Sequence, residues 1–215
     1  MNTLAGLQIA VVGLCLTGWS AVAAGQQDDQ AWSPPVVVAA DAGPLADPSL
    51  AINAAGEALS VWRQTEGLRA ATIWARPFSA SSGWGIARRI QSDIETIGDA
   101  QHVVFNPSGH FFAVWSQSSR RTGHSIWANA LGESISSTTA VRVSDSGASR
   151  EVLRLPRLAV DAEGGLFVVW QRHSGRLRPR GAEDLDTVWA ARFVPSTGWS
   201  LPAFRVARGR CHFPV

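Results

Sequence analysis

The sequence predicts an all-β repeat fold: three four-stranded units, with one extra outer strand ahead of them. Three observations predict it. A Val-Trp pair returns at Val61-Trp62, Val114-Trp115 and Val169-Trp170, in steps of 53 and 55 residues, each behind a glycine (Gly56, Gly109, Gly165). A second tryptophan keeps its own beat in Ile73-Trp74-Ala75, Ile126-Trp127-Ala128 and Val188-Trp189-Ala190. Around them lie apolar runs of about five residues, rich in β-branched and aromatic side chains and without a 3.6-residue period, which suits strands. Units that recur at this length bury their apolar faces on their neighbours rather than within themselves.

The elements follow in order. An apolar run from Leu4 to Leu16 leads into Ser20-Ala21-Val22-Ala23-Ala24, so residues 1–24 read as a secretory signal cleaved after Ala23 or Ala24. The run is short for a bilayer, so no stable membrane span is expected. The chain is expected to be exported, to the periplasm, the cell surface or the medium. The signal departs from pattern in one respect: no Lys or Arg precedes the run. Its removal takes Cys15 and leaves Cys211 alone. Residues 25–30 form a polar linker, and Trp32-Ser33-Pro34-Pro35-Val36-Val37-Val38 reads as an orphan outer strand.

Residues 31–208 then form the repeat domain, with units at about 48–92, 101–146 and 156–208, and a tail at 209–215. The innermost segments are Ser49 to Ile52, Val103 to Phe105 and Leu158 to Val160. The second are Ala58 to Trp62, Phe111 to Trp115 and Leu166 to Trp170. The third are Ala71 to Phe78, Ser125 to Leu131 and Thr187 to Phe193. The outer segments are Gly85 to Ile90, Ala140 to Val143 and Ala203 to Val206. Four short antiparallel strands per repeat are the pattern of a β-propeller blade.

On the glycine lead-in to each Val-Trp pair, the Trp-Ala strand, and the Gly-Trp turns at Gly83-Trp84 and Gly198-Trp199, the chain resembles bacterial exported β-propeller repeat proteins of the broad sialidase-like kind. These motifs specify a blade, not a reaction. The Ser-x-Asp-x-Gly turn of that superfamily is degenerate here: Ser79-Ala80-Ser81-Ser82-Gly83 lacks the Asp, and the second repeat has Gly132-Glu133-Ser134 without the Trp. Sialidases resembling this scaffold use a tyrosine nucleophile paired with a carboxylate, and this chain has no tyrosine. Three blades fall short of a closed ring. Two copies would complete six blades, forming a homo-oligomer; alternatively, the chain is a piece of a longer propeller.

Composition narrows the partners. All 19 basic residues are arginine, and net charge is +2. The first 110 residues hold five Arg against nine acids, and the remainder fourteen against eight. Outside Arg172 to Arg180 the arginines are scattered, so a nucleic-acid footprint is not expected. The five histidines have no metal-ligand spacing, and no P-loop or nucleophile elbow occurs, so neither metal nor cofactor is expected.

The candidate ligand-binding residues come from the repeat itself. Asp41, Asp93 and Asp145 recur every 52 residues, where the chain returns to the next inner strand, with Arg208 in the corresponding later position. Carboxylates there can hold sugar hydroxyls or a cation, or fix a turn by bonding nearby N–H groups. Gln64, Gln117 and Arg172 each follow a repeat tryptophan by two residues, and Trp84 and Trp199, beside turns, are candidate sugar-stacking platforms. The other tryptophans read as packing. The insertion His173 to Asp186 lengthens the third repeat with a charged loop. The expected role is a non-catalytic binding or interaction module, with a glycan the sharpest ligand and a protein ligand another. A glycoside hydrolase or its remnant, and a structural fragment without ligand, are the alternatives.

Overall fold

The computed structural model describes residues 34–39, 43–66, 70–91, 97–119, 123–131, 140–145, 151–174 and 186–209. No helix occurs among them. The chain divides into two units, residues 1–36 and 37–215, and the strands all belong to the second.

Three antiparallel sheets follow one another. Blade 1 consists of β1 (Leu45–Ile52), β2 (Ala58–Glu66), β3 (Ala70–Ser79), and an outer strand in two pieces, β4 (Gly83–Trp84) and β5 (Arg88–Arg89), both paired with β3. Blade 2 is β6 (Ile97–Phe105), β7 (Phe111–Ser119), β8 (Gly123–Leu131) and β9 (Val141–Arg142). Blade 3 is β10 (Glu151–Val160), β11 (Leu166–Ser174), β12 (Asp186–Val194) and β13 (Gly198–Gly209). The three four-stranded blades of a propeller-type repeat are therefore present. No strand is assigned over 34–39, yet residue 38 occupies an outer-strand place: Arg76 Nη1 donates to the Val38 carbonyl at 2.6 Å, as Asn129 Nδ2 donates to the Ile90 carbonyl one blade later at 3.3 Å.

One turn joins the first two strands of every blade. Asn53 Oδ1 accepts from Glu57 N, Asn106 Oδ1 from His110 N, and Asp161 Oδ1 from Gly165 N, at 2.9, 2.8 and 2.6 Å. The glycines at the left-handed corner are Gly56, Gly109 and Gly164, with φ of 78°, 85° and 81°. Thus the functional glycine of the third turn is Gly164, not Gly165.

The inner strands are longer than their apolar runs. Each carries a register shift, at Ala46/Ser49, Asp99/Gln101 and Arg154/Arg157. A bulge adds a residue and reverses the alternation of side chains. Asp47-Pro48 and Leu155-Pro156 sit in two of these bulges, with Asp47 and Leu155 at φ of 54° and 55°.

The core lies between blades. Leu59, Val61, Ile73, Ala75 and Ile90 on the outgoing face of blade 1 pack on Val103, Phe111, Ala113, Trp115 and Leu131 on the incoming face of blade 2. Phe112, Val114, Ile126, Ala128 and Val143 pack in the same way on Leu153, Leu158, Leu166, Val168 and Trp170 of blade 3. Hydrogen bonds join the inner strands: Val103 N donates to Ser49 Oγ at 3.3 Å, and Leu158 N to His102 Nδ1 at 3.1 Å.

Candidate functional site

The strands have two ends. At one, β2, β7 and β11 finish and the inner strands begin; at the other lie the Asn/Asp-x-x-Gly turns and the turns into the outer strands. The sequence candidates divide between them.

Gln64 and Gln117, at the first end, hold indoles. Trp62 Nε1 donates to Gln64 Oε1 at 3.3 Å, and Trp115 Nε1 donates to Gln117 Oε1 at 2.9 Å. Both tryptophans are buried. The second tryptophans are secured by a relay: Trp74, Trp127 and Trp189 each donate at 2.9 Å to the hydroxyl two residues earlier, on Thr72, Ser125 and Thr187. Those hydroxyls bond the carbonyls of Gln64, Gln117 and Arg172 on the neighbouring strand. A buried indole N–H without a partner loses its hydration uncompensated, so these acceptors have a structural task.

Blade 3 departs from this. Arg172 stands in the glutamine place and cannot accept, and Trp170 Nε1–H is buried with no partner among the described residues. Arg172 instead donates from Nε to Glu151 Oε2 at 2.9 Å and from Nη1 to Asp145 Oδ2 at 3.4 Å, and its guanidinium lies 4.7 Å from the Trp189 ring centre. Asp145 and Arg172 are therefore brought together, while Asp145 Oδ1 is buried with no partner among the described residues. Asp41 and Asp93 lie outside the described residues. The insertion begins in an ordered pair: His173 Nδ1 meets Asp186 Oδ1 at 2.7 Å, and Gln171 Nε2 donates to Asp186 Oδ2 at 2.6 Å. Residues 175–185 of that loop also lie outside the described residues.

Trp84 and Trp199 belong to the opposite end, beside turns, and are half-buried. Trp84 meets Phe78 edge-on at 5.3 Å, and Trp199 packs on Phe193 at 5.4 Å. The structure does not bring them to the glutamines or to Asp145.

A cavity of about 370 Å³ opens at the first end, lined by Arg63, Ser116, Ser118, His124 and the run Val152, Leu153, Arg154. All three blades contribute to it. Arg63, Ser116 and Gln171 each follow a repeat tryptophan by one residue, so two of these equivalent positions help to form one wall. Arg63 Nε bonds Asp47 Oδ2 at 3.3 Å, and Arg154 Nε bonds Gln171 Oε1 at 3.1 Å. Both guanidiniums are thus oriented and keep further N–H donors. Two guanidiniums, two hydroxyls and an imidazole make a donor-rich pocket suited to carboxylate, sulfate or hydroxyl groups. Among the described residues, no three His, Cys, Asp or Glu side chains gather as a metal site.

No family model matches the chain, and no curated protein matches it. Among solved structures it is similar to the Hadza microbial sialidase Hz136, with a TM-score of 0.53 at 10% identity, over 72% of this chain and 36% of that one. A xylan β-1,4-xylosidase from Bacillus halodurans gives a TM-score of 0.44 at 12% identity, over 70% of this chain and 28% of that one. The chain spans about a third of the sialidase's length. At this identity the likeness to the sialidase shows a shared propeller-type fold.

Proposed function

We propose that this chain is an exported, non-catalytic carbohydrate-binding module of the propeller type, which takes an acidic or sulfated glycan at the first end. One observation carries the reading: the cavity to which three blades bring Arg63, Arg154, Ser116, Ser118 and His124. Guanidinium forks match carboxylate and sulfate oxygens, and hydroxyls match sugar hydroxyls. The nearby carboxylates Asp145 and Glu151 are engaged with Arg172, which favours binding over acid–base work. The likeness to a sialidase supports carbohydrate as the ligand class.

A glycan array spanning neutral, carboxylated and sulfated sugars tests this with the purified protein. Retention of anionic glycans that is lost in Arg63→Ala and Arg154→Ala is the expected result; silence across the array would sink the reading. The sialidase likeness also supports a second reading, a glycoside hydrolase. That reading requires release of product from a chromogenic glycoside, with loss of turnover in Asp93→Asn or Asp145→Asn.

A further inference from the structure

We infer that the chain closes a six-bladed ring with a second copy, the outgoing face of blade 3 in each packing on the incoming face of blade 1 in the other. The internal interfaces show what such faces look like when covered. On the outgoing side Leu59 and Val61 of blade 1 are 0% exposed, and their counterparts Phe112 and Val114 of blade 2 are 5% and 0%. The strand register places Phe167 and Val169 of blade 3 at the same two positions, where they are 39% and 38% exposed. On the incoming side Val103 and Leu158 are 3% and 7% exposed, and their counterpart Leu50 is 61%. Blade 3 is thus open at Phe167 and Val169 while Ala190 is covered, and blade 1 is open at Leu50 while Ala58 and Trp62 of the same face are already buried; the open positions belong to the two halves of one recurring apolar interface. Single exposed side chains are ordinary on a protein surface; a complementary pair of sheet faces is not.

The incoming face of blade 1 also has a recess of about 350 Å³, lined by Val38, Ala39, Leu45, Ala46, Pro48, Ser60 and Trp62. Ser60 and Trp62 correspond to Ala113 and Trp115, which share one buried cluster with Val61 and Ile73 of blade 1. In the closed ring, Val169 and Val188 of the copy take the places of Val61 and Ile73 over this recess. Val38 and Ala39 line that edge, where the Val38 carbonyl accepts from Arg76. The arriving β13 displaces them and presents its own carbonyl to Arg76.

Charge matches at the rim. Arg192, 3.7 Å from Asp161, occupies the place of Pro77 and Ala130, and Pro77 and Phe111 line one cleft at the first interface. The counterpart of Phe111 on blade 1 is Ala58, next to Glu57. Arg192 therefore meets Glu57 of the copy. One internal bond is given up: Ser49 and His102 accept a backbone N–H across their interfaces, and Arg157 at that position cannot. The contact occurs twice about a twofold axis, so the assembly closes rather than growing into a fibre.

Light scattering and sedimentation of the full chain over a hundredfold concentration range test this. A species of twice the 22.9 kDa chain mass, or of twice the mature mass, is expected. Leu50→Asp and Val169→Asp alter side chains exposed in the single chain, so circular dichroism should be unchanged while dimer affinity falls at least ~100-fold. Each variant alone has both contacts broken. Mixed in equal amounts they keep one intact contact and should associate again, whereas dimers formed through a single self-complementary face would not behave so. Arg192→Glu should weaken the dimer roughly tenfold, and Glu57→Arg on the same chain should restore it. A monomer at all concentrations, an open polymer, or a mixture of the Asp variants that stays monomeric would overturn the inference.

Discussion

Blades 2 and 3 carry the same tryptophan in the same strand, but its indole N–H is treated differently. Trp115 is fully buried and donates to Gln117, itself 4% exposed. Trp170 is buried to 2%, with Arg172 where the acceptor should be. The first two blades use the second position after the tryptophan to satisfy the core. The third uses it to build a charged cluster of Arg172, Glu151 and Asp145 at the end where the cavity opens and where the inserted loop begins. A departure from a repeat that leaves a buried donor unsatisfied costs stability, and such costs concentrate at functional sites.

The largest test of that contrast is truncation. Trp115→Ala removes an indole from the centre of an interface closed on both sides and should cost roughly 3–5 kcal/mol by urea denaturation. Trp170→Ala should cost less, because the donor it removes is already unsatisfied; equal losses would contradict the contrast. A finer version keeps the ring. Trp115→Phe leaves buried Gln117 without its donor and should cost about 1–3 kcal/mol, whereas Trp170→Phe discards an unsatisfied N–H and should fall well below that. The difference between the two Phe variants isolates the hydrogen bond from the packing.

Arg172→Gln sharpens the same point from the other side. Glutamine gives Trp170 its acceptor, as in blades 1 and 2, but removes the guanidinium that bonds Glu151 and Asp145. Asp145 is 39% exposed at its side chain, so solvent screens much of that loss. The net change should be a loss of about 1 kcal/mol or less in the same denaturation assay. A gain larger than that would mean the charged cluster carries strain rather than support.

What was legible in the sequence was the part set by local pattern. The Trp-x-Gln and Thr-x-Trp spacings place their partners on one strand or its neighbour, so tryptophan periodicity was enough to locate the second and third strands. The first halves of the inner strands were hidden because bulges at Asp47-Pro48 and Leu155-Pro156 break the alternation that marks a strand. Gly164 and Gly165 are adjacent, and only the backbone tells which one turns the corner. The cavity escaped for a different reason. Arg63, Ser116, His124 and Arg154 are separated by up to about ninety residues of chain and meet only when blades stack. One signal was available: Arg63 and Ser116 each follow a repeat tryptophan by one residue, on the face opposite to the glutamines. Gln64 and Gln117 were visible as a repeat, but polar residues at strand ends read alike whether they face a ligand or an indole.

The smallest effect concerns the seam between blades 2 and 3, which uses an imidazole where the seam between blades 1 and 2 uses a hydroxyl. His102 Nδ1 accepts from Leu158 N, so the ring must be neutral at that atom. Burial, and then the Arg157 guanidinium, hold its pKa below the ordinary 6.5. The unfolded chain therefore takes up this proton more readily than the folded one, and stability falls as pH drops. The contribution is fully present above 6.5, is lost progressively below it down to the folded-state pKa, and stays constant below that. One group sets a ceiling of about 1.4 kcal/mol per pH unit on the slope. Denaturation midpoints between pH 7 and pH 5 should therefore fall more steeply for the natural chain than for His102→Ser, which installs the acceptor that Ser49 supplies at the other seam. Parallel slopes would show that the imidazole titrates alike in both states and that the two seams respond to acid equally.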